Sequence, residues 1–213
     1  MTAADRRVVI AGATSDAGLT TATALIEAGA RVVATGRSQE RLARLRDAGA
    51  QIELADATSI AEMTALAERM GPVDAVLPLV GGWRGGGGLA GQSDEDFAAL
   101  LPALHAVRAT SRAFDAALRA SDAGRFAIVS STAVGRPLAG GANYAAIKAA
   151  SEAWARGVAQ GYAKAARDAG SGLHAASVIF RAEGALQPDG LARAVVALWD
   201  EEATALNDSV RSI

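Results

Sequence analysis

Short apolar runs recur along this chain, and all but the last are followed by a longer stretch with helical periodicity. The runs are Arg7–Ala11, Arg31–Thr35, Gln51–Ala55, Val73–Val80, Arg125–Ser130 and Leu173–Phe180, with a last one at Ala205–Ile213. Strands separated by helices do not pair as hairpins. They line up in parallel, and a parallel sheet is buried on both faces. The alternation therefore predicts an α/β fold: a doubly wound parallel β-sheet with helices on both faces, formed by residues 1–213 as one domain. In such a sheet, ligands bind beyond the carboxyl ends of the strands.

Punctuation residues refine the outline. Ser38 and the Thr58-Ser59 pair are expected to start the second and third helices, and Pro188 the last one. The first helix is expected from Leu19 to Ala28, the fourth from about Asp94 to Ser121, and the fifth from about Gly141 to Ala169. Pro78 removes a ladder donor, so its strand should fray there or pair on one side only. Pro102 implies a kink or a later helix start.

The first strand feeds into Gly12-Ala-Thr-Ser-Asp-Ala-Gly18, and a helical pattern follows at once. Strand, glycine turn and helix are the parts of a dinucleotide-binding, Rossmann-like unit. Gly12 permits the tight turn, and Gly18 permits close approach of the helix. The helix start offers unpaired amides to a pyrophosphate.

A second constellation lies in the other half. Tyr144 and Lys148 are four residues apart, and Ser131 precedes the tyrosine by thirteen. Residues i and i+4 share a helix face. An ammonium beside a phenol favours phenolate and lowers its pKa, which makes tyrosine useful as a proton donor near neutrality. A serine at the same spot can hold a carbonyl oxygen. The trio predicts proton delivery to a carbonyl, with hydride coming from elsewhere.

These residues together resemble the short-chain dehydrogenase/reductase family, over nearly the whole chain and in the right order. The segment Gly12 to Gly18 stands where the family has its three-glycine turn. The resemblance implies that Thr14, Ser15, Asp16 and Ala17 of that turn contact the cofactor. Asp56, with Ala57 beside it, stands at the family's adenine-contacting aspartate, and Val80-Gly81-Gly82 stands where Asn-Ala-Gly is usual. Ser131, Tyr144 and Lys148 match the active-site trio, Tyr144 as general acid/base and Lys148 tuning it and bonding the nicotinamide ribose. The Gly81-Gly-Trp step also resembles the dihydropteridine-reductase branch, with Trp83 expected as a wall of the substrate pocket. The alternative for Gly81–Gly88 is a flexible surface loop.

Arg37 is expected to select the cofactor. It stands at the tip of the second strand, where the ribose of the adenosine half is read and no acid is present. A guanidinium can grip a 2′-phosphate with two hydrogen bonds. NADP(H) is therefore expected over NAD(H). Asp16 replaces a family glycine, and its carboxylate is expected to cap the following helix.

Three departures from the family pattern stand out. The helix-four asparagine that carries a proton-relay water aligns with Leu104, while the neighbouring His105 faces elsewhere. The Pro-Gly step after the sixth strand is replaced by Ile179-Phe180-Arg181. Only Arg181 to Gln187 separates that strand from Pro188, where relatives insert a lid over the substrate. Loss of a lid weakens water exclusion. That keeps a second reading open: a weak or inactive NADP(H)-binding sensor or assembly protein on the same fold.

Composition excludes several classes. The net charge of −2 disfavours nucleic acid and anionic membranes as partners. The chain has no cysteine, and two histidines make no convincing zinc site. No apolar run approaches the ~20 residues of a membrane span. Met1–Arg7 has no secretory h-region, so a cytoplasmic location is expected. Small and apolar residues on the fourth and fifth helices, among them Ala109, Ala113, Phe114, Ala145, Ala149 and Trp154, together with the resemblance, imply a homodimer or homotetramer.

Overall fold

The computed structural model describes residues 2–213. Seven strands form one parallel sheet: β1 Arg7–Ala11, β2 Arg31–Gly36, β3 Gln51–Leu54, β4 Ala75–Pro78, β5 Arg125–Ser131, β6 Ala176–Ala182 and β7 Ser209–Ser212. Their order is β3-β2-β1-β4-β5-β6-β7. The direction of winding reverses between β1 and β4, which opens a crevice beyond their carboxyl ends.

Side-chain alternation on the strands divides the interior in two. Val8 and Ile10 of β1 point into one core and Val9 and Ala11 into the other. The first core is covered by α1 (Asp16–Glu27), α2 (Gln39–Asp47) and α6 (Pro188–Val196), through Leu25, Leu42, Leu45, Leu191 and Val195. The second is covered by α3 (Ile60–Met70), α4 (Asp94–Ala120) and α5 (Ala142–Asp168), through Met63, Leu66, Phe114, Leu118 and Tyr162. The double-layered α/β arrangement expected from the alternating pattern is the one observed.

Arg125 fastens the amino-terminal end of the sheet. It is fully buried and donates to the carbonyls of Leu198, Gly124, His174 and Glu201 at 2.8 to 3.1 Å. Burial pulls its pKa down to about 10, so it remains a cation at neutral pH.

Several boundaries differ from the sequence reading. α1 begins at Asp16, three positions before the expected Leu19, because Ser15 caps it by accepting from the Gly18 amide at 3.1 Å. Asp16 is therefore not the cap; its carboxylate turns outward to Arg44 of α2 at 3.4 Å. β4 is confined to Ala75–Pro78, and Pro78 pairs with Ala11 of β1 while pairing with β5 stops at Val76. One-sided pairing is the consequence expected of a missing amide. α4 starts at Asp94 under a Ser93 cap and runs through Pro102, so the late start is excluded. β6 begins later than expected and reaches Ala182. The expected terminal strand is divided: Ala203–Leu206 forms one short helix, α7, and only Ser209–Ser212 joins the sheet.

Candidate active site

The carboxyl ends of β1, β4, β5 and β6 surround a cleft of ≈ 1450 Å³. Ser15, Asp16 and Ala17 line one end of it. Val80, Gly81, Gly82 and Trp83 follow, and Ser131, Tyr144 and Lys148 line the other side. Ten of the predicted positions thus meet in one cavity, although they come from four separate parts of the chain.

The glycine turn is built by close approach. Gly12 has φ +81°, and a Cβ there would lie 2.5 Å from Cγ2 of Val80. Its amide and that of Ala13 bond back to Thr35. A Cβ on Gly18 would meet the Ala13 carbonyl oxygen at 2.1 Å, so α1 can enter this close to the turn only with glycine. Ser15 uses the Gly18 amide, and the amides of Asp16 and Ala17, two residues that line the cleft, stay without an intrahelical acceptor. Thr14 packs its methyl against Gly36 at the end of β2, 2.9 Å from where a Cβ on that glycine would stand.

Gly12, Thr14, Gly18, Arg37, Asp56 and Ala57 do not line the cleft itself. Arg37 and Asp56 lie beyond its rim, near enough to each other for the guanidinium charge to act on the carboxylate. Burial raises the Asp56 carboxyl, but hydrogen bonds from the Thr58 amide and hydroxyl, with Arg37, outweigh it and hold the pKa below the ordinary value. Arg37 is exposed at the tip of β2.

Ser131 ends β5, and Tyr144 sits in the first turn of α5, one turn before Lys148. Ser131 lies near enough to the phenol to favour its ionised form, which works against the effect of burial, while its own Oγ accepts from the Ala133 amide at 3.2 Å. Burial is the larger influence, and the phenol is raised above its ordinary value. The sequence reading that Lys148 depresses it is therefore corrected for this arrangement. The Lys148 Nζ lies 5.7 Å from the Tyr144 ring centroid and donates to the Val129 carbonyl at 2.8 Å. Lys148 itself is the shifted base: burial lowers it to about 8, against the opposing charge of Glu152.

Behind this pair lies a network that the sequence did not announce. Glu152 is buried, accepts from Ser130 at 2.7 Å and takes two hydrogen bonds from Arg181 at 2.8 and 2.6 Å. Arg181 pairs in register with Ser130 across β5 and β6. The residue that replaces the family's Pro-Gly step is thus turned toward α5, while Ala182 and Gly184 line the cleft.

The proton-relay position is apolar. A Cβ on Gly81 would lie 4.0 Å from both Ala103 Cβ and Lys148 Nζ, so Ala103 is the helix-four residue that packs nearest to this glycine. Leu104 joins Leu100, Ile147 and Tyr144 in a small apolar cluster. His105 is exposed. Among the described residues no group of three or more acids or histidines could hold a metal.

The glycine-rich segment is a fitted wall. The Gly86 amide donates to the Gly140 carbonyl at 2.8 Å, and Gln92 reaches that same oxygen at 3.1 Å while accepting from the Asn143 amide. A Cβ on Gly85 would lie 2.4 Å from the Gly140 oxygen, and one on Gly91 would lie 2.7 Å from Gly87 Cα. Glycine here serves close backbone packing against the start of α5. Trp83 is 63% exposed at the cleft edge.

The family model for short chain dehydrogenases matches residues 6–166. The chain belongs to the short-chain dehydrogenase family. Among curated proteins, no significant match is found. Solved structures share the fold at low identity. A gluconate 5-dehydrogenase from Burkholderia cenocepacia J2315, in complex with NADP and tartrate, is 21% identical with a TM-score of 0.82, over 99% of this chain and 94% of that one. A short-chain type dehydrogenase/reductase from Mycobacterium ulcerans is 18% identical with a TM-score of 0.83, over 100% and 90%. A tryptophan variant of actinorhodin polyketide ketoreductase with NADPH is 22% identical with a TM-score of 0.80, over 98% and 95%.

Proposed function

We propose that the protein is an NADPH-dependent oxidoreductase that interconverts a carbonyl and an alcohol. The observation that carries this reading is the convergence of Ser131, Tyr144 and Lys148 on a cleft whose far end is the glycine turn. The residues present fit a dinucleotide. The free amides at the start of α1 suit a pyrophosphate. Gly81 and Gly82 leave open space where any side chain would intrude on a bound ring, since a Cβ on Gly82 would meet nothing within 4 Å. Asp56 keeps its second carboxylate oxygen clear of Thr58, for the adenine side. Arg37 supplies the charge for a 2′-phosphate, and structures of the same fold hold NADP or NADPH.

When bound, the nicotinamide supplies or accepts hydride. Ser131 orients the carbonyl oxygen, and Tyr144 holds the proton that this oxygen takes up. The raised phenol keeps that proton at neutral pH, which suits a general acid in the reductive direction. Lys148, anchored on Val129, places a positive charge beside the phenol and the ribose. The apolar cluster around Ala103 offers no polar relay, so the proton returns from the cleft itself.

Steady NADPH oxidation with a panel of ketones, quinones and dihydropterins tests the assignment. Tyr144→Phe is expected to abolish turnover and leave NADPH binding in place. Tight NADPH binding without turnover by the unaltered protein supports the second reading, a sensor or assembly protein, which the short Glu183–Gln187 connection over the cleft favours.

Self-association through α4 and α5 is part of the same proposal. Ala109, Phe114 and Ala145 are buried in the chain's own core, Ala113 and Trp154 are half-buried, and Ala149 is exposed. Trp154 donates to Ser111 at 2.8 Å and lies under Arg108. A dimer or tetramer formed on these helices is read from sedimentation at micromolar concentration. Among the described residues no helix is long and apolar enough to cross a membrane.

A further inference from the structure

Two side chains bring positive charge to the cleft: Lys148, committed to the reacting centre, and Arg136. Arg136 stands between the short helical turns Thr132–Val134 and Ala139–Gly141, on the segment that leads from Ser131 to Tyr144. Pro137 follows it, which disfavours helical backbone at Arg136 and limits its freedom. Arg136 is exposed and makes no hydrogen bond or ion pair among the described residues.

Its surroundings have a consistent character. Trp83, Leu138, Leu186 and Pro188 line the same cleft, and Leu138 is 71% exposed. The acidic residue in the lining is Asp16, which belongs to the start of α1 and is engaged by Arg44. No carboxylate therefore competes for Arg136 on the substrate side. An exposed apolar wall with one unpartnered guanidinium is the makeup of a pocket for an amphipathic anion. A guanidinium matches a carboxylate with two parallel hydrogen bonds.

We propose that Arg136 anchors a carboxylate of the substrate, so that the site takes carbonyl compounds that join an apolar body to an acidic group. This rests on the oxidoreductase reading above. The anchor holds one end of the substrate, Trp83 and Leu138 flank its body, and the carbonyl reaches Ser131 and Tyr144. It also compensates for the short connection after β6, because a fixed charge can orient a substrate that no lid encloses.

The matched probes are 4-carboxybenzaldehyde and its methyl ester, reduced with NADPH by the unaltered protein, Arg136→Ala and Arg136→Lys. The acid is expected to be the better substrate. In Arg136→Ala the acid-to-ester ratio of kcat/KM should fall about 10- to 100-fold, chiefly through the KM of the acid. Arg136→Lys should recover part of it. An unchanged ratio, or an unaltered protein that prefers the ester, overturns the anchor while leaving the reductase reading intact. Calorimetric binding of 4-carboxybenzaldehyde to the NADP-loaded protein separates the two ideas further. Binding that Arg136→Ala weakens, without any reduction, supports the anchor and sinks the reductase. Absence of binding and of turnover overturns the anchor.

Discussion

Arg181 of β6 grips Glu152 of α5 through two hydrogen bonds, one helical turn beyond Lys148. The pair ties β6 to the helix that carries Tyr144 and Lys148. Ser130, immediately before Ser131, completes the network through its own bond to Glu152. The floor of the site is therefore held by charge as well as by apolar packing.

Removing the arginine should expose how much that contact contributes. Arg181→Ala leaves Glu152 buried with the Ser130 hydroxyl and with Arg156 at 4.0 Å as its remaining cation, and is expected to lower stability by about 2–3 kcal/mol. Burial pushes the Glu152 carboxyl up, but the bonds from Arg181 and Ser130 outweigh it and hold it below its ordinary value. A depressed acid contributes stability that is present above its ordinary pKa and lost as pH falls through the native one. Urea unfolding should thus show the gap between wild type and Arg181→Ala at neutral pH, narrowing on acidification below the usual carboxylate range. A gap independent of pH would count against the ion pair.

Lys148 sets the second expectation. Its folded pKa of about 8 means that the ammonium beside the phenol is lost as pH rises through that value. The Tyr144 phenol, raised, stays protonated across the same window. For carbonyl reduction, kcat/KM should be level below about pH 7 and decline above pH ~8, toward tenfold per unit. A profile that remains flat to pH 10 would assign no role to the lysine charge.

Gly85 tests the glycine-rich wall. Alanine there would force its Cβ against the Gly140 oxygen, 2.4 Å away in the present geometry. The nearest neighbour is backbone, with the Trp83 ring next at 3.0 Å, so the segment must shift and the Gly86–Gly140 hydrogen bond with it. Gly85→Ala should cost about 1–3 kcal/mol and raise the rate of proteolysis between Trp83 and Gln92. Gly82→Ala, with open space around its Cβ, should leave proteolysis of this segment as it was.

On the proposed function, Arg37 sets the preference between the two nicotinamide cofactors. Arg37→Ala should raise the KM for NADPH about 10- to 100-fold, as expected for loss of a charged hydrogen bond, and change that for NADH far less. Steady-state kinetics with both cofactors reads this directly. Equal effects on the two would assign Arg37 to the solvated surface.

Local features were legible in the chain before its structure. Strand runs, the glycine turn, the Ser38 and Ser59 caps and the one-sided pairing at Pro78 each depend on a few adjacent residues, and backbone sterics act at that range. Boundaries slipped where a neighbour in space intervened. Ser15 rather than Asp16 caps α1, because its hydroxyl reaches the Gly18 amide while the Asp16 carboxylate points out to Arg44 of α2. The last run broke into α7 and β7 because Asn207 and Asp208 bond across to β6 and α5.

Periodicity and residue spacing by themselves determined the α/β alternation and the register that places Ser131, Tyr144 and Lys148 near one strand end. Helical and strand geometry repeat over a few residues, so composition in order is enough to reveal them. Only the folded chain decided that burial outweighs Ser131 in setting the Tyr144 phenol, that Arg181 serves Glu152, that Gly85 meets Gly140, and that Arg136 shares a cavity with Trp83. Each of those depends on desolvation or on contact between segments far apart in sequence, and neither quantity exists until the sheet brings its strand ends together.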